Sequence, residues 1–142
     1  MVVLTYCGSA RSMMARDSFN PVSKMKYVKE AFIFLDQAVD EYSNVSYLPQ
    51  LIRGIVSLQV PGFLGKETQG EKDLQSILDR YQADPQSVPT GVVSDVCLYL
   101  GNLKKSRKDL PAAIKLWQRS YESGPERING KLAKRNIEKY GE

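Results

Sequence analysis

Residues 94–125 read SDVCLYLGNLKKSRKDLPAAIKLWQRSYESGP and decide the fold, because they have the pattern of two amphipathic helices joined by a short turn. Gly101 is a small residue on the first helix, where the two helices must touch. Ala113, Trp117 and Ser120 follow at spacings of four and three residues, which places them on one face of the second helix. The stretch therefore predicts a packed helix pair.

The same stretch resembles a tetratricopeptide repeat. That family places Leu-Gly on its first helix, then alanine, a bulky aromatic, a small residue and proline on and just after its second helix. The matching residues are Leu100, Gly101, Ala113, Trp117, Ser120 and Pro125. Two positions depart from the family pattern: Cys97 replaces a large aromatic, and Lys104 replaces a tyrosine. We therefore expect a degenerate copy of the repeat.

The rest of the chain also has helical periodicity and lacks an alternating run typical of a strand, so we expect seven helices. The first four span about residues 2–16, 23–42, 46–58 and 69–81, the fifth and sixth lie within residues 94–125, and the seventh spans about 126–140. A break between the first two helices is predicted at Ser18, Phe19, Asn20 and Pro21. Asp109 is a predicted N-cap, and Gly141 a predicted C-cap.

Two weaker copies of the repeat precede the last one. In the first, Leu4 and Gly8 occupy the opening helix, and Ala31, Leu35 and Ala38 repeat the later spacing. In the second, Gly54 matches Gly101, and Leu74, Leu78 and Tyr81 take the second-helix positions. The resemblance thus implies one domain over residues 1–142: an all-α, right-handed helical repeat of units 1–43, 46–86 and 94–125, with a capping helix over 126–140.

The last helix is predicted to cap the array because one of its faces is polar. Its apolar stripe is expected to consist of Ile128, Leu132, Ile137 and Tyr140. At the other end, a helix that begins at Val2 without an N-cap predicts that the chain is a fragment of a longer array or is shielded by a partner, and a homodimer is one such arrangement.

In tetratricopeptide repeats, the first helices line a concave face that touches peptides, so the resemblance implies a partner-binding surface here. Its residues are Thr5, Ser9 and Ser12 in the first copy, Leu48, Leu51 and Ile55 in the second, and Asp95, Leu98 and Asn102 in the third. The patch formed by the second set has two interpretations: burial against neighbouring helices, or a hydrophobic groove or self-association surface.

Positive charge is concentrated near the carboxyl end, where residues 102–142 contain eleven Lys or Arg against five Asp or Glu. The predicted basic patch consists of Lys104, Lys105, Arg107, Lys108, Arg127, Lys131, Lys134 and Arg135. A solvated face of the capping helix is one interpretation, and contact with nucleic acid or an anionic membrane is the other. Apart from Tyr140, the patch lacks the interleaved aromatics that stack on bases, so nucleic acid is the weaker interpretation.

The chain contains no histidine, the commonest metal ligand and the usual general base at neutral pH. Its two cysteines, Cys7 and Cys97, form neither a disulfide framework nor a zinc motif, and packing is their expected role. No run of residues is long and apolar enough to cross a bilayer. We therefore expect a soluble, cytoplasmic protein without catalytic residues, metal or cofactor.

These observations predict a scaffold that binds a peptide or helix of another protein on its concave face. The alternative is a helical-repeat protein that binds nucleic acid through its basic carboxyl end. An enzyme is a third class, but neither a pair of nucleophile and base nor a cofactor loop can be named. The sequence does not identify the partner, because a repeat fold does not determine what it binds.

Overall fold

The computed structural model describes residues 2–17 and 20–141, so the predicted break at Ser18 and Phe19 lies outside the described residues. Within those ranges the protein is all-helical, with seven α-helices, one 3-10 turn and no strand, which confirms the predicted class and helix number. The helices are α1 (Val2–Asp17), α2 (Pro21–Tyr42), α3 (Leu48–Gln59), α4 (Glu67–Ala83), α5 (Thr90–Ser106), α6 (Leu110–Ser123) and α7 (Ile128–Tyr140), and the 3-10 turn spans Gly62–Leu64.

Side chains at the helix ends explain several of these bounds. The Asn20 side chain accepts a hydrogen bond of 2.9 Å from the backbone N–H of Val22, and so starts α2. Asp109 accepts one of 3.3 Å from the N–H of Ala112, as predicted for the N-cap of α6. At the end of α7 the N–H of Gly141 donates to the carbonyl of Ile137, which confirms this residue as the C-cap.

The chain forms two compact units, Met1–Asp73 and Leu74–Glu142, and the boundary between them falls within α4. In the first unit, α1 packs along α2, and α3 contacts both. Gly8 makes the close approach possible, since a β-carbon there would lie 2.5 Å from Leu35 Cγ and 3.1 Å from the carbonyl oxygen of Ala31. Leu35 is fully buried and shares a core cluster with Phe32 and Val56.

A buried ion pair joins α3 to the start of α4. The guanidinium of Arg53 donates two hydrogen bonds to the Asp73 carboxylate, at 2.7 and 2.8 Å, and a third of 3.1 Å to Asp36 of α2. Burial acts to lower the pKa of Arg53, but the hydrogen bonds and charges of Asp73 and Asp36 outweigh it, so the pKa is raised. Gln69 donates a further bond of 3.2 Å to Asp73. Four side chains from three helices thus form one polar network.

Two glycines lie at the crossing of α3 and α4. A β-carbon on Gly70 would lie 3.0 Å from the carbonyl oxygen of Gly54 and 2.8 Å from Ser57 Cβ. Gly70 of α4 therefore lies against the backbone of Gly54, and Leu74, assigned to the second copy of the repeat, follows one helical turn later.

In the second unit, α5 packs against α6, and α7 contacts both. A β-carbon on Gly101 would lie 2.6 Å from Trp117 Cδ1 and 3.3 Å from the carbonyl oxygen of Ala113, so the predicted contact between small residue and aromatic is present. Trp117 is fully buried and donates its indole N–H to Asn102 Oδ1 at 3.1 Å. Leu98 belongs to the same core cluster.

Two serines exchange hydrogen bonds between α5 and α6. The hydroxyl of Ser94 donates to the carbonyl oxygen of Ser120 at 2.7 Å, and the hydroxyl of Ser120 donates to the carbonyl oxygen of Ser94 at 2.7 Å. Both residues are fully buried. The helix pair is therefore joined by directional bonds as well as by apolar contact.

The stripe predicted for α7 is wrong in part. Ile128 is 79% exposed and Leu132 is also exposed, whereas Gly130 and Ala133 are buried. A β-carbon on Gly130 would overlap the carbonyl oxygen of Gly124 at the end of α6. Small residues thus let α7 approach α6 closely, and this close approach sets the buried face more strongly than the larger side chains do.

Replacing Gly101 by alanine is expected to lower the free energy of unfolding by about 1–3 kcal/mol, because the new methyl group would overlap Trp117. Urea unfolding followed by circular dichroism measures the change. Gly91→Ala in the same helix is the matched control, since its nearest neighbours are at the flexible end of Arg127. An equal effect of the two substitutions would contradict the tight contact between Gly101 and Trp117.

Candidate functional site

The first unit contains an apolar cleft of about 490 Å³, formed by the end of α1, the start of α2, the end of α3 and the 3-10 turn that follows. We call it the Met25 groove. Its lining residues are Ser12, Met13, Pro21, Lys24, Met25, Val28, Val56, Gln59, Val60, Pro61, Phe63 and Leu64. Most of them are hydrophobic, as is typical of ligand and peptide sites.

Several of the large apolar side chains around the groove are in contact with solvent. Phe63 is 80% exposed and Met13 is 49% exposed. Val22 and Ile33, on the same helix as Met25 but outside the lining of the groove, are also largely exposed. Single exposed hydrophobic residues are common, but several gathered around one cleft mark an interaction surface.

Local backbone structure explains how Phe63 comes to be exposed. Pro61 follows the end of α3. The carbonyls of Pro61 and Gly62 accept hydrogen bonds of 3.0 Å from the N–H groups of Leu64 and Gly65, respectively. Gly65 has φ of 68°, a left-handed conformation that glycine adopts without strain. The resulting tight turn places Phe63 at the rim of the groove, while Leu64 is partly covered.

Two further clefts adjoin the Met25 groove along α2, with volumes of about 600 and 390 Å³. Met25 lines all three clefts, and Lys29 and Ile33 line the two additional ones. Lys66 lines the smaller of these two, and its Nζ lies 4.4 Å from the centroid of the Phe32 ring. The apolar surface is therefore continuous along the first half of α2 and is bordered by lysines.

Acidic side chains near this surface already have cationic partners. Glu30 forms an ion pair of 3.2 Å with Arg11 of α1, and Asp36 forms one of 3.1 Å with Arg53. Across the described part of the chain, no acidic side chain lies within 4.0 Å of the ammonium groups of Lys24, Lys26 or Lys29. The border of the groove is therefore net positive.

The first two sets of predicted binding residues lie on α1 and α3. Thr5 is buried, whereas Ser9 and Ser12 are half-buried, and the hydroxyl of Ser12 donates to the carbonyl oxygen of Ser9 at 2.7 Å. Ser12 alone among these residues lines the Met25 groove. On α3, Leu51 is buried, as expected for a core residue, and its neighbours Leu48 and Ile55 are half-buried.

The third set, on α5, contacts other side chains of the second unit. Asp95 accepts hydrogen bonds from Arg127 at 2.9 Å and Asn129 at 2.8 Å, both at the start of α7. Leu98 packs in the core cluster that contains Ala133 of α7. Asn102 accepts bonds from the indole of Trp117 and, at 3.4 Å, from Asn136. These three positions therefore hold the last helix in place, and a cleft of about 420 Å³ remains beside Leu98 and Asn102.

Part of the predicted basic patch is also used within the chain. Lys105 donates a hydrogen bond of 2.8 Å to the hydroxyl of Tyr140, which lowers the pKa of that phenol. Lys134 lies 5.4 Å from the centroid of the Tyr121 ring, and Arg127 pairs with Asp95. The remaining members also differ in exposure: Lys104 is half-buried, whereas Arg107, Lys108, Lys131 and Arg135 are exposed.

Other site chemistry is sparse in the described residues, where no group of three side chains is arranged to hold a metal ion. Burial raises the pKa of the Cys97 thiol to about 11, so little reactive thiolate forms there at neutral pH. Cys7 is half-buried. None of the helices over residues 2–17 and 20–141 combines the length and the apolar character that crossing a bilayer requires.

Comparisons with protein-family models, with curated proteins and with solved structures found no match to this chain. A functional proposal therefore depends on the geometry and chemistry of the chain itself. The Met25 groove is the feature with the most specific chemistry, because it combines a large apolar lining, an exposed aromatic and an unpaired lysine, Lys24.

Proposed function

We propose that the protein is a non-catalytic interaction module, built from tetratricopeptide-like helix pairs, that binds a segment of another protein. The observation that carries the proposal is the Met25 groove, whose apolar lining includes solvent-exposed Phe63 and Met13. A partner that covers this apolar surface lowers the free energy of the complex. Aromatic side chains in clefts provide much of the affinity at interfaces.

The repeat part of the proposal is supported by two equivalent contacts. Gly8 approaches the carbonyl oxygen of Ala31 and the side chain of Leu35, four residues further along α2. Gly101 approaches Ala113 and Trp117 in the same way, again with a spacing of four residues. Two helix pairs of the chain thus use the same small-residue crossing, which is what an internal repeat would produce.

The position of the groove changes which residues we propose for binding. Asp95 and Leu98, expected on the concave face, are engaged with α7. The groove instead includes Met13 and Met25, whose flexible, polarisable side chains adapt to different partners. We therefore place the partner at the Met25 groove, next to Ser12 of the predicted surface.

The nucleic-acid alternative has less support. Lys105, Arg127 and Lys134 of the basic patch make contacts within the chain, which reduces the charge available to phosphates. Tyr121 and Tyr140 lie beside the patch, but both are partly buried and already contact lysines, which leaves them poorly placed to stack on bases.

A peptide-display selection on the full-length protein, followed by affinity measurements on the selected peptides, tests the proposal. Phe63→Ser is expected to weaken binding on the order of tenfold or more, because it removes an aromatic anchor from the rim of the groove. Fluorescence anisotropy gives the dissociation constants. The substitution should leave the fold intact, since Phe63 is 80% exposed.

Val45→Ser is the matched control, because Val45 is 78% exposed and does not line the groove. It should leave affinity for the selected peptides unchanged. Failure of the selection to yield any binder would contradict the proposed function, as would binders whose affinity is lowered equally by both substitutions.

A further inference from the structure

We infer that the Met25 groove recognises an acidic amphipathic helix of a partner protein. This inference rests on the proposed function and adds the chemistry and conformation of the bound segment. It depends on three observations: the apolar row along α2, the lysines beside that row, and the direction of the charges along α2.

The apolar row has the length and spacing of a helix-binding surface. Val22, Met25, Lys29 and Ile33 follow each other at spacings of three, four and four residues, so they share one face of α2. The aliphatic stem of Lys29 continues the apolar row, while its ammonium group remains in solvent. At 1.5 Å per residue the row extends over about 17 Å, or three turns of a bound helix.

The secondary structure favours a helix over an extended segment as the occupant. An extended peptide that binds by strand addition needs the edge of a sheet, and residues 2–17 and 20–141 contain no strand that could provide one. A helix satisfies its own backbone hydrogen bonds and needs only an apolar groove and suitable flanking charges.

The flanking charges specify an acidic partner. Lys24 lines the Met25 groove, Lys29 lines the two adjoining clefts, and Lys66 lines the smaller one. Lys26, beside them on α2, lines the larger adjoining cleft. Glu30 is paired with Arg11, whereas Asp36, which lines the smaller cleft, shares Arg53 with the buried Asp73 and keeps negative charge. The four lysines still outnumber this one carboxylate, so the surface is net positive. Glutamates on a bound helix would therefore meet uncompensated positive charge.

Charge along α2 runs against the helix dipole. Lys24 and Lys26 lie near the amino-terminal end, where the dipole favours anions, and Asp40 and Glu41 lie in the last turn, where it favours cations. This order disfavours the isolated helix. An acidic segment bound beside Lys24 and Lys26 would place negative charge at the end of α2 where both the lysines and the dipole favour it.

An anionic membrane shares the required charge but fits the surface less well. A bilayer contacts side chains that project outward, such as Val22, Ile33 and Phe63. It would leave uncovered the half-buried Met25, which lies within a cleft bounded by the ends of α1 and α3. Met13 of α1 lines the same cleft. A ridge of side chains on a partner helix can fill such a cleft.

Two designed helical peptides of about 14 residues, with leucines on one face and either glutamates or lysines on the other, test the inference. Fluorescence anisotropy with the full-length protein is expected to show at least about tenfold tighter binding of the glutamate peptide. A scrambled glutamate peptide, with the same composition but no apolar face, should bind as weakly as the lysine peptide.

Lys24→Glu/Lys29→Glu is expected to reduce affinity for the glutamate peptide by at least about tenfold. The matched control is Lys131→Glu/Lys134→Glu on α7, which makes the same change in net charge and should leave that affinity within about twofold. Circular dichroism verifies the fold of each variant. If Lys24→Glu/Lys29→Glu fails to fold, Lys24→Gln/Lys29→Gln replaces it, with a smaller expected loss.

The outcomes separate this inference from the proposed function. Equal binding of the glutamate and lysine peptides, lost in Phe63→Ser, would overturn the acidic specificity and leave the interaction module in place. Equal losses in the α2 and α7 variants would overturn the site. Binding of phosphatidylserine vesicles that requires Lys24 and Lys29, without binding of either peptide, would overturn the inference in favour of a lipid surface.

Discussion

Arg53→Met is expected to lower the free energy of unfolding by about 3–5 kcal/mol, because it leaves the Asp73 carboxylate buried without its cation. The side chain of Asp73 is 2% exposed and that of Arg53 is 10% exposed, so water does not replace the lost partner. Gln69 would still donate a hydrogen bond to this carboxylate. Urea unfolding followed by circular dichroism measures the loss.

Two controls show whether the loss of stability comes from the burial of the ion pair or from the loss of an arginine side chain. Arg11→Met breaks the more exposed pair with Glu30 and should cost less than about 1 kcal/mol. Arg53→Met/Asp73→Leu removes both buried charges and should recover much of the stability that Arg53→Met loses, since apolar replacement of a buried pair is often neutral. Similar losses in Arg53→Met and Arg11→Met would contradict the role of burial.

Trp117→Ala is expected to lower the free energy of unfolding by about 3–5 kcal/mol, because the indole is fully buried in the core of α5, α6 and α7. The substitution would also leave Gly101 without its packing partner and remove the N–H donor to Asn102. Circular dichroism is the appropriate measurement, since Trp117 is the only tryptophan of the chain and its fluorescence would be lost.

Tyr6→Ala is the matched control for an aromatic truncation, because Tyr6 is largely exposed. Its effect should remain within about 0.5 kcal/mol. Trp117→Phe should be intermediate, since it keeps most of the apolar volume and loses the hydrogen bond to Asn102. A loss of stability in Trp117→Ala no larger than in Tyr6→Ala would contradict the burial of the indole.

Local pattern was sufficient to predict the elements of the fold. Helical periodicity and breakers predicted seven helices, and most bounds differ from the observed ones by no more than two residues. The largest difference is at α5, which begins at Thr90 because Pro89 precedes it in an extended conformation. The contact between Gly101 and Trp117 was also predictable, since the spacing places each on the face where the two helices meet.

Contacts between distant residues were not predictable in the same way. Asp36 accepts a hydrogen bond from Arg53, which lies seventeen residues away on another helix. The partner of Arg53 in the buried pair, Asp73, is on another helix again. No sequence spacing identifies such a network, because its geometry exists only after three helices have packed together.

The Met25 groove was missed for a related reason. Its walls come from the ends of three helices and a 3-10 turn, so no single periodic segment contains the pattern. A local signal was nevertheless present: Phe63 lies in a loop beside Pro61 and Gly65, where a large exposed aromatic has no structural role. The buried face of α7 was predicted incorrectly because Gly130 and Ala133 do not stand out as hydrophobic residues in the sequence. Their small size nevertheless allows close contact.

The exchange of hydrogen bonds between Ser94 and Ser120 has a consequence for how helices find the correct neighbour during folding. Apolar faces with small residues occur on several helices of this chain, and such faces attract one another with little selectivity. A shift of α5 by one residue along α6 would leave both buried hydroxyls without their acceptors. Wrong pairings are therefore penalised, and two small polar side chains select one alignment from many of similar hydrophobic content.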